Sequence, residues 1–460
     1  MTPELLDIAR AALVIAGSLP GEVEACVQHT HTTSVKVYGR EVESLVTADS
    51  RGLGVRYLEA GRQGYAYTAD LSEAGMARAL FDARSNASAS EHDPFLGLPA
   101  PSREYPHIVG LWRPGVRATP VKDKIRLALD AEAAALSEPE IGTVEESVYA
   151  DAESRLAIAS SLGMEAYAER THAYVYLSAH ARRGDQVQTG MGVSLGREPG
   201  AVDAVQAGRE AAQRARGLLG ARPCATGLYT VVFDREVMAA LLSVVASALT
   251  AEAVQKGRSL FANSLGEEVA APRVTLVDDG LHVDGLESAP FDDEGVPRQA
   301  TGLIDRGRLR GFLHNTYTAR KQAAGAPADS WGGFRSTGSA ARSSYRTAPG
   351  VAASNLVLMQ GEGDLSDLLR RVGSGLYVVN VNGLHSGADP MTGQFSVGAE
   401  GHLVEGGALG RPVKEVTIAS DLLSLFMNVR DLAGDARWVP LYGSSLAPSV
   451  AIEAVTVSGV

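Results

Sequence analysis

Cysteine is almost absent. Cys26 and Cys224 are the only two in 460 residues, far apart and in no CxxC pair, so neither a disulfide framework nor a cysteine-rich zinc site can be built from them, and a reducing compartment fits. Large aromatics are also few, with 9 Phe and 3 Trp against 50 Gly, a balance that points to many tight turns joining strands. No run approaches the roughly 20 apolar residues that cross a bilayer. The basic start and apolar core of a signal peptide are missing, Thr2-Pro3-Glu4 reads as a helix start, and the expected location is the cytoplasm. Concentrated positive charge is lacking too. The formal net charge is -12 with a pI near 5.4, and the Lys and Arg residues are scattered, which argues against nucleic acid as a direct ligand. What is present, 45% hydrophobic and 21% charged residues, is ordinary for a packed globular chain. The length exceeds the reach of one core, so two or more domains are expected.

Leu5, Ile8, Ala9, Ala12 and Leu13 recur at helical spacing up to Gly17. The pattern then turns β-rich, with strands expected at 34–38, 54–58 and 64–68 and turns at Gly39-Arg40 and Gly61-Arg62-Gln63-Gly64. Helical spacing returns over 71–84, and the Pro-rich stretch 93–101 reads as a linker. A second lobe starts with a helix announced by Thr119-Pro120, continues in strands over 143–194 and ends in an Ala-rich helix over 201–219. Gly220-Ala221-Arg222-Pro223 marks the main domain boundary. Beyond it come a strand at 228–233 and a helix at 236–249 that is apolar nearly all round. Short strands follow at 273–277, 376–381, 394–399 and 413–418, then a helix over 421–432 capped by Ser420 and a last strand at 452–457. The expected fold class is α+β. An N-terminal helix and antiparallel-sheet portion forms two lobes, 1–110 and 111–222, followed by a β-rich C-terminal domain over 223–460.

Several motifs in the last domain are specific. They are Phe291-Asp292-Asp293-Glu294-Gly295-Val296-Pro297, Gly311-Phe312-Leu313, Ser336-Thr337-Gly338, Gly383-Leu384-His385-Ser386-Gly387 and Thr392-Gly393-Gln394-Phe395-Ser396-Val397-Gly398-Ala399-Glu400-Gly401. In order and spacing they resemble the TldD/PmbA family. Upstream, Arg51-Gly52-Leu53-Gly54-Val55-Arg56 and Gly64-Tyr65-Ala66-Tyr67-Thr68 are similar to that family's N-terminal domain, so the resemblance spans nearly the whole chain. It implies a cytoplasmic heterodimer that degrades or trims unfolded peptides and leader-bearing precursors. One subunit of such a pair carries zinc in a HExxxH helix with a further Cys near the C-terminus. The other, called TldE or PmbA, lacks those ligands and helps enclose the substrate channel.

A zinc hydrolase needs about three protein ligands, an open water position and a Glu to take the proton. None of the ten histidines is followed by Glu, and no pair has the HExxxH spacing. On the family pattern the zinc helix falls on 236–249, with Leu242, Ser243 and Ser247 where His, Glu and His would stand. Gly443-Ser444-Ser445 lies where the Cys would be. The resemblance is therefore to the PmbA branch, and no metal or cofactor is expected in this chain.

Other candidates have bland readings beside the functional ones. His29 and His31 share one side of a strand and can chelate a metal only with a third ligand that the sequence does not show. Asp292-Asp293-Glu294 is either a cation site or a turn bonded to itself, and it lacks the ligand spacing of a calcium loop. His385, Ser386 and Asp389 supply the residue types of a hydrolase triad. Adjacent strand residues face opposite ways, however, and neither Ser386 nor Ser396 has the GxSxG elbow, since Leu384 and Gln394 stand two positions before them. The segment 332–346 is a loop or, through Arg335, Arg342 and Arg346, an anion site. The family-like motifs nominate Asp293, Glu294, His385, Ser386, Asp389, Thr392, Phe395 and Ser396 as substrate-channel residues, with no catalytic residue. The expected function is that of a zinc-free subunit of a TldD/TldE-type metallopeptidase, paired with a zinc-bearing TldD-like subunit and an extended peptide. A non-enzymatic peptide-binding or regulatory homodimer is the alternative.

Overall fold

The computed structural model describes residues 4–17, 19–325, 335–440 and 443–460. The helix start expected at Thr2-Pro3 and part of the 332–346 segment lie outside these. Strands β1 (Glu22–Tyr38), β2 (Glu41–Glu59), β3 (Arg62–Thr68), β4 (Ile141–Ser160), β5 (Glu165–Arg183) and β6 (Gln186–Gly196) form one antiparallel sheet in the order β3-β2-β1-β4-β5-β6. The strands are longer than the alternating patterns suggested, because both hairpin arms stay paired from end to end, as from Glu22 with Leu58 to Tyr38 with Glu41. The turn read at Gly39-Arg40 is present, with both residues at positive φ (61° and 66°), the geometry that matches strand twist in a two-residue hairpin.

The two N-terminal lobes share this sheet, since β1 of the first pairs with β4 of the second from Glu24–Ser160 to Val37–Ser147. Each lobe still has its own core on the same side of the sheet. Helices α1 (Glu4–Ala16) and α2 (Glu73–Ala89) bury Leu5, Leu6, Ala9 and Leu80 against Val27, Leu53 and Val55. Helices α3 (Val121–Leu136) and α4 (Ala204–Gly217) bury Ala128, Ala131, Ala207 and Ala211 against Val35, Val175 and Leu177. Alanine is used where helix and sheet approach closely. Ser72 caps α2 by accepting from the Gly75 amide.

The Pro-rich stretch 93–101 has no regular structure, as expected, but it is tied down. Leu98 is fully buried, its amide donates to Glu22 (2.8 Å), and Arg320 of the C-terminal domain donates to the Leu96 and Leu98 carbonyls at 3.2 and 2.8 Å. Arg320→Ala is expected to speed amide exchange across 95–98 about tenfold, the loss of roughly one net hydrogen bond, while global melting barely moves. Exchange that stays unchanged would show that the burial of Leu98 and its hydrogen bond to Glu22 hold the strap without Arg320.

The remaining residues form the largest core. Strand β7 (Gly227–Phe233) lies in a sheet ordered Ala408–Asp421, Gln394–Glu405, Gly375–Asn382, β7, Val450–Ser458, Val429–Leu432. Thr417 to Ala419 pair back onto Thr456 to Ser458, closing five of these strands on themselves. A second sheet runs Arg308–Leu309, Ala300–Asp305, Leu276–Asp279, Asn355–Leu358, Ser444–Ala447, Arg437–Val439. Helix α5 (Arg235–Ala248) contributes Val237, Met238, Leu241, Leu242 and Val245 to the same core. The fold is α+β with a β-rich C-terminal domain.

Two local expectations are corrected. The 421–432 segment is helical only over Leu422–Met427, capped by Asp421 rather than Ser420, and its end becomes the strand Val429–Leu432 because Val450 to Ile452 offer a pairing edge. The strand expected at 273–277 is Leu276–Asp279, set by pairing with Leu356 to Leu358. No helix among the described residues is long and apolar enough to cross a membrane.

Candidate functional site

The motifs of the two ends of the chain meet at a seam. Register places Glu24 of β1 opposite Arg56 of β2, on the face of the sheet away from the helices, and the C-terminal domain covers that end of the face. Gly52 and Gly54 leave room for Tyr345, since a Cβ at either would collide with its ring or carbonyl. The Tyr345 amide then donates to Gln28 (2.9 Å) and its carbonyl accepts from Tyr65 (2.7 Å).

Charge is buried at this seam. Arg56, 4% exposed, donates to Glu24 at 2.6 Å and Glu294 at 2.8 Å. Arg342 donates to Glu24, to Tyr65 (3.2 Å) and to the Asp293 carbonyl (3.0 Å). Burial works against charge on Glu294, but Arg56 and the Thr316 amide hold its pKa below the usual value. Asp292 accepts from the amides of Glu294, Val296 and Ala340, each at 2.9 Å. Burial and then the neighbouring Glu294 push its pKa up to about 7. The acidic motif is thus a buried bracket joining two domains. Glu294 is 1% exposed and faces no solvent, whereas Asp293 lines a cavity. Arg342 belongs to the bracket and is no anion site, while Arg335 is exposed and Arg346 lies over the Tyr345 ring.

That cavity, of about 400 Å³, lies between sheet and C-terminal domain and is lined by Gln28, Ser154, Arg170, Glu287, Asp293 and Arg298 among others. Arg170 pairs with Glu287 at 2.5 Å and holds its pKa below the ordinary carboxylate range. A smaller cavity of about 270 Å³ adjoins the first, with Ala352, Ala353 and Gly443 in the walls of both. The smaller one is lined by Ser243, Ser247 and Thr250 at the end of α5 and by Ser354, Ser444 and Ser445. The helix and C-terminal positions singled out by the family pattern therefore converge on one place, except that Leu242 points into the core at 0% exposure.

The donors there do not suit zinc, which takes imidazole, thiolate or carboxylate. They are neutral hydroxyls already engaged: Ser243 and Ser247 donate to the Ala240 and Val244 carbonyls, both at 2.7 Å, and Ser444 donates to Asn355 at 2.7 Å. Asp278 behind them takes both the amide and hydroxyl of Ser354, and burial pushes its pKa up to about 6. Among the described residues no three His, Cys, Asp or Glu side chains gather as a metal site.

The other candidates lie apart from this seam. His385 and Ser386 sit exposed on the helical turn Leu384–Gly387 rather than on a strand, and Ser386 donates to the Gly383 carbonyl at 3.2 Å. Asp389 closes the next turn, accepting from the Met391 amide (2.8 Å) and the Thr392 hydroxyl (2.9 Å). The Met391 amide chiefly lowers its pKa. Phe395 is 2% exposed and belongs to the core, with Ser396 outward beside it. His29 and His31 share one partner that sequence reading missed, Asp49 across the hairpin, at 2.8 and 3.2 Å. Strand register was the missing signal: His31 faces Asp49.

The fold sets one cavity between the long sheet and the β-rich domain and a second beside it at the end of α5. The chain belongs to the PmbA/TldD metallopeptidase family. Residues 226–459 match the PmbA/TldA metallopeptidase C-terminal domain, 114–219 the central domain and 23–87 domain 1. It is 27% identical to the metalloprotease PmbA of Escherichia coli O157:H7 across 97% of this chain and 96% of that one. The metalloprotease TldD homologue of Haemophilus influenzae is 30% identical over 51% of this chain and 46% of its own length. A Thermotoga maritima structure described as a candidate modulator of a DNA gyrase superposes with TM-score 0.89 at 26% identity, covering 98% of this chain and 99% of its own. TldE from Thermococcus kodakarensis shares the fold, with TM-score 0.87 at 21% identity over 98% and 99%.

Proposed function

We propose that this chain is the zinc-free, PmbA/TldE-type subunit of a cytoplasmic two-component metallopeptidase, forming one wall of a channel for unfolded peptides and precursor leaders. The observation that carries this reading is the hydroxyl lining at the end of α5: it offers nothing to bind a metal or polarise a hydrolytic water. The near full-length match to a relative named PmbA, against a half-length match to one named TldD homologue, supports the same branch. Zinc belongs to the TldD-like partner. Asp293 lines the larger cavity, while His385, Ser386, Asp389 and Thr392 before the strand Gln394–Glu405, together with Ser396 on it, meet substrate or partner. Extended peptides are held through main-chain hydrogen bonds to a sheet edge, a mode tolerant of sequence.

The test is metal analysis with a peptide-cleavage assay on the purified chain, alone and mixed with a zinc-bearing TldD-like subunit. The expected result is less than a tenth of an equivalent of zinc and no cleavage alone, with cleavage on mixing that chelators abolish. Stoichiometric metal ligated by this chain, or chelator-resistant cleavage by it alone, would overturn the proposal. A stable metal-free homodimer that binds peptide and ignores the partner would establish the peptide-binding alternative.

A further inference from the structure

The sheet face that receives the C-terminal domain continues past the cleft. Odd-numbered residues of β5, such as Ala173, Val175 and Leu177, are buried against the α3 and α4 side, so the even-numbered Arg170, His172, Tyr174 and Tyr176 point to the opposite face. Arg170 lines the larger cavity together with Gln28 and Ser154, and His172, Tyr174 and Tyr176 are the next outward-facing residues of β5 beyond it. His172 and Tyr174 stack with ring centroids 6.3 Å apart and planes 12° apart. Tyr174 and Tyr176 repeat the arrangement at 6.3 Å and 25°. On the β4 and β1 side the ladder has small neighbours at its first two rings, with Ala152 opposite His172, Ala150 opposite Tyr174, and Thr32 and Ser34 next across, whereas Val148 stands opposite Tyr176 and β6 places Leu195 and Val193 on the other flank.

Spacing and charge select an occupant. An extended chain repeats its side-chain direction every two residues, about 6.7 Å, whereas a helix turn advances about 5.4 Å. A strand laid along β5 keeps step with the rings from one end of the ladder to the other, and a helix drifts out of step. The Ala, Ser and Thr floor on the β4 and β1 side of His172 and Tyr174 leaves room for its backbone. Burial, and then Arg170, push the His172 pKa down to about 4, and burial raises both tyrosines. All three rings are therefore uncharged near neutrality, which favours aromatic and aliphatic side chains over carboxylates.

We propose that the His172–Tyr174–Tyr176 ladder is a track for an extended peptide segment, gripping aromatic or aliphatic side chains at alternate positions and leading the chain toward the cleft at Arg170. This rests on the channel reading, and it adds a preference for side chains that main-chain pairing alone does not give.

The test measures fluorescence anisotropy of the full chain with two labelled, end-blocked ten-residue peptides, one with Phe at alternate positions and Ser between, the other of Gly and Ser only. Tyr174→Ser/Tyr176→Ser is expected to weaken binding of the Phe peptide about tenfold, two ring contacts' worth, and to leave the Gly/Ser peptide unchanged. Tyr174→Phe/Tyr176→Phe is expected to bind like the parent, and equal melting temperatures establish that both variants fold. In the mixed complex the Ser variant raises KM for the Phe peptide and spares kcat. Unchanged Phe-peptide binding in the Ser variant overturns the inference. So does loss of assembly with the partner subunit, or of self-association, while peptide binding stays intact, since the face is then a subunit interface. A chain that binds through the ladder yet supports no cleavage with any zinc-bearing partner sinks the proposed function and leaves the ladder standing.

Discussion

Arg56→Met is expected to lower the unfolding free energy by about 3–5 kcal/mol, the usual cost of removing one partner from a buried ion network. The guanidinium spans Glu24 at 2.6 Å and Glu294 at 2.8 Å, and all three residues are at most 4% exposed. Without it Glu294 keeps, among the described residues, the Thr316 amide (2.9 Å), and Glu24 keeps Arg342. Glu294 is then left without a cation away from water and must take up a proton or draw water into the seam, while Glu24 stays paired with Arg342. The loss falls on the contact between domains, because Glu24 and Arg56 sit on the sheet while Glu294 and Arg342 sit in the C-terminal domain. Calorimetry is accordingly expected to resolve two transitions where the parent shows one, the N-terminal portion melting first. Adding Glu294→Gln to Arg56→Met removes one stranded charge while the amide oxygen still accepts from Thr316, and it is expected to recover part of the loss. An Arg56→Met mutant within about 0.5 kcal/mol of the parent would mean that the network is hydrated and energetically idle, and a double mutant no more stable than Arg56→Met would mean that Glu294 is not left stranded.

The same seam shows what the sequence could and could not reveal. Arg51-Gly52-Leu53-Gly54-Val55-Arg56 and Asp292-Asp293-Glu294 are legible as motifs, and α1 to α5 are legible from period and caps. What no local pattern carries is that these motifs touch each other across more than 200 residues of sequence, as Arg56 and Glu294 do. Their carboxylates consequently read as surface or channel groups when most of them are buried. The 421–432 helix was overdrawn for a related reason: Val429 to Leu432 suit helix and strand alike, and only the edge offered by Val450 to Ile452 decides. The α5 cleft is the opposite case. Ser243, Ser247 and Ser444 were placed from a resemblance in the chain, and their convergence on one cavity follows from helix periodicity at one end and a parallel strand pairing of Asn355 with Ser444 at the other.

Acid is expected to destabilise the fold through two imidazoles. Burial pushes both His172 and His314 down to about 4, against about 6.5 in an unfolded chain. The folded state refuses a proton that the unfolded state accepts, so the stability these groups contribute is fully present above about pH 6.5 and is lost as pH falls toward 4. Each is worth about 2 kcal/mol between pH 7 and pH 5 by that linkage. Asp278 and Asp292 run the other way. Their folded values are raised to about 6 and about 7, so what they contribute is present at low pH and lost as pH rises through 6 and 7. The raw slope of stability with pH therefore mixes both signs, and a variant compared with its parent separates them. His172→Phe keeps a ring stacked on Tyr174 and cannot take a proton. Its urea midpoint is expected to fall less than the parent's between pH 7 and pH 5, by an amount equivalent to about 2 kcal/mol, and the difference is expected to vanish above pH 7.5. Parallel curves across that window would mean that His172 is solvated in the folded state.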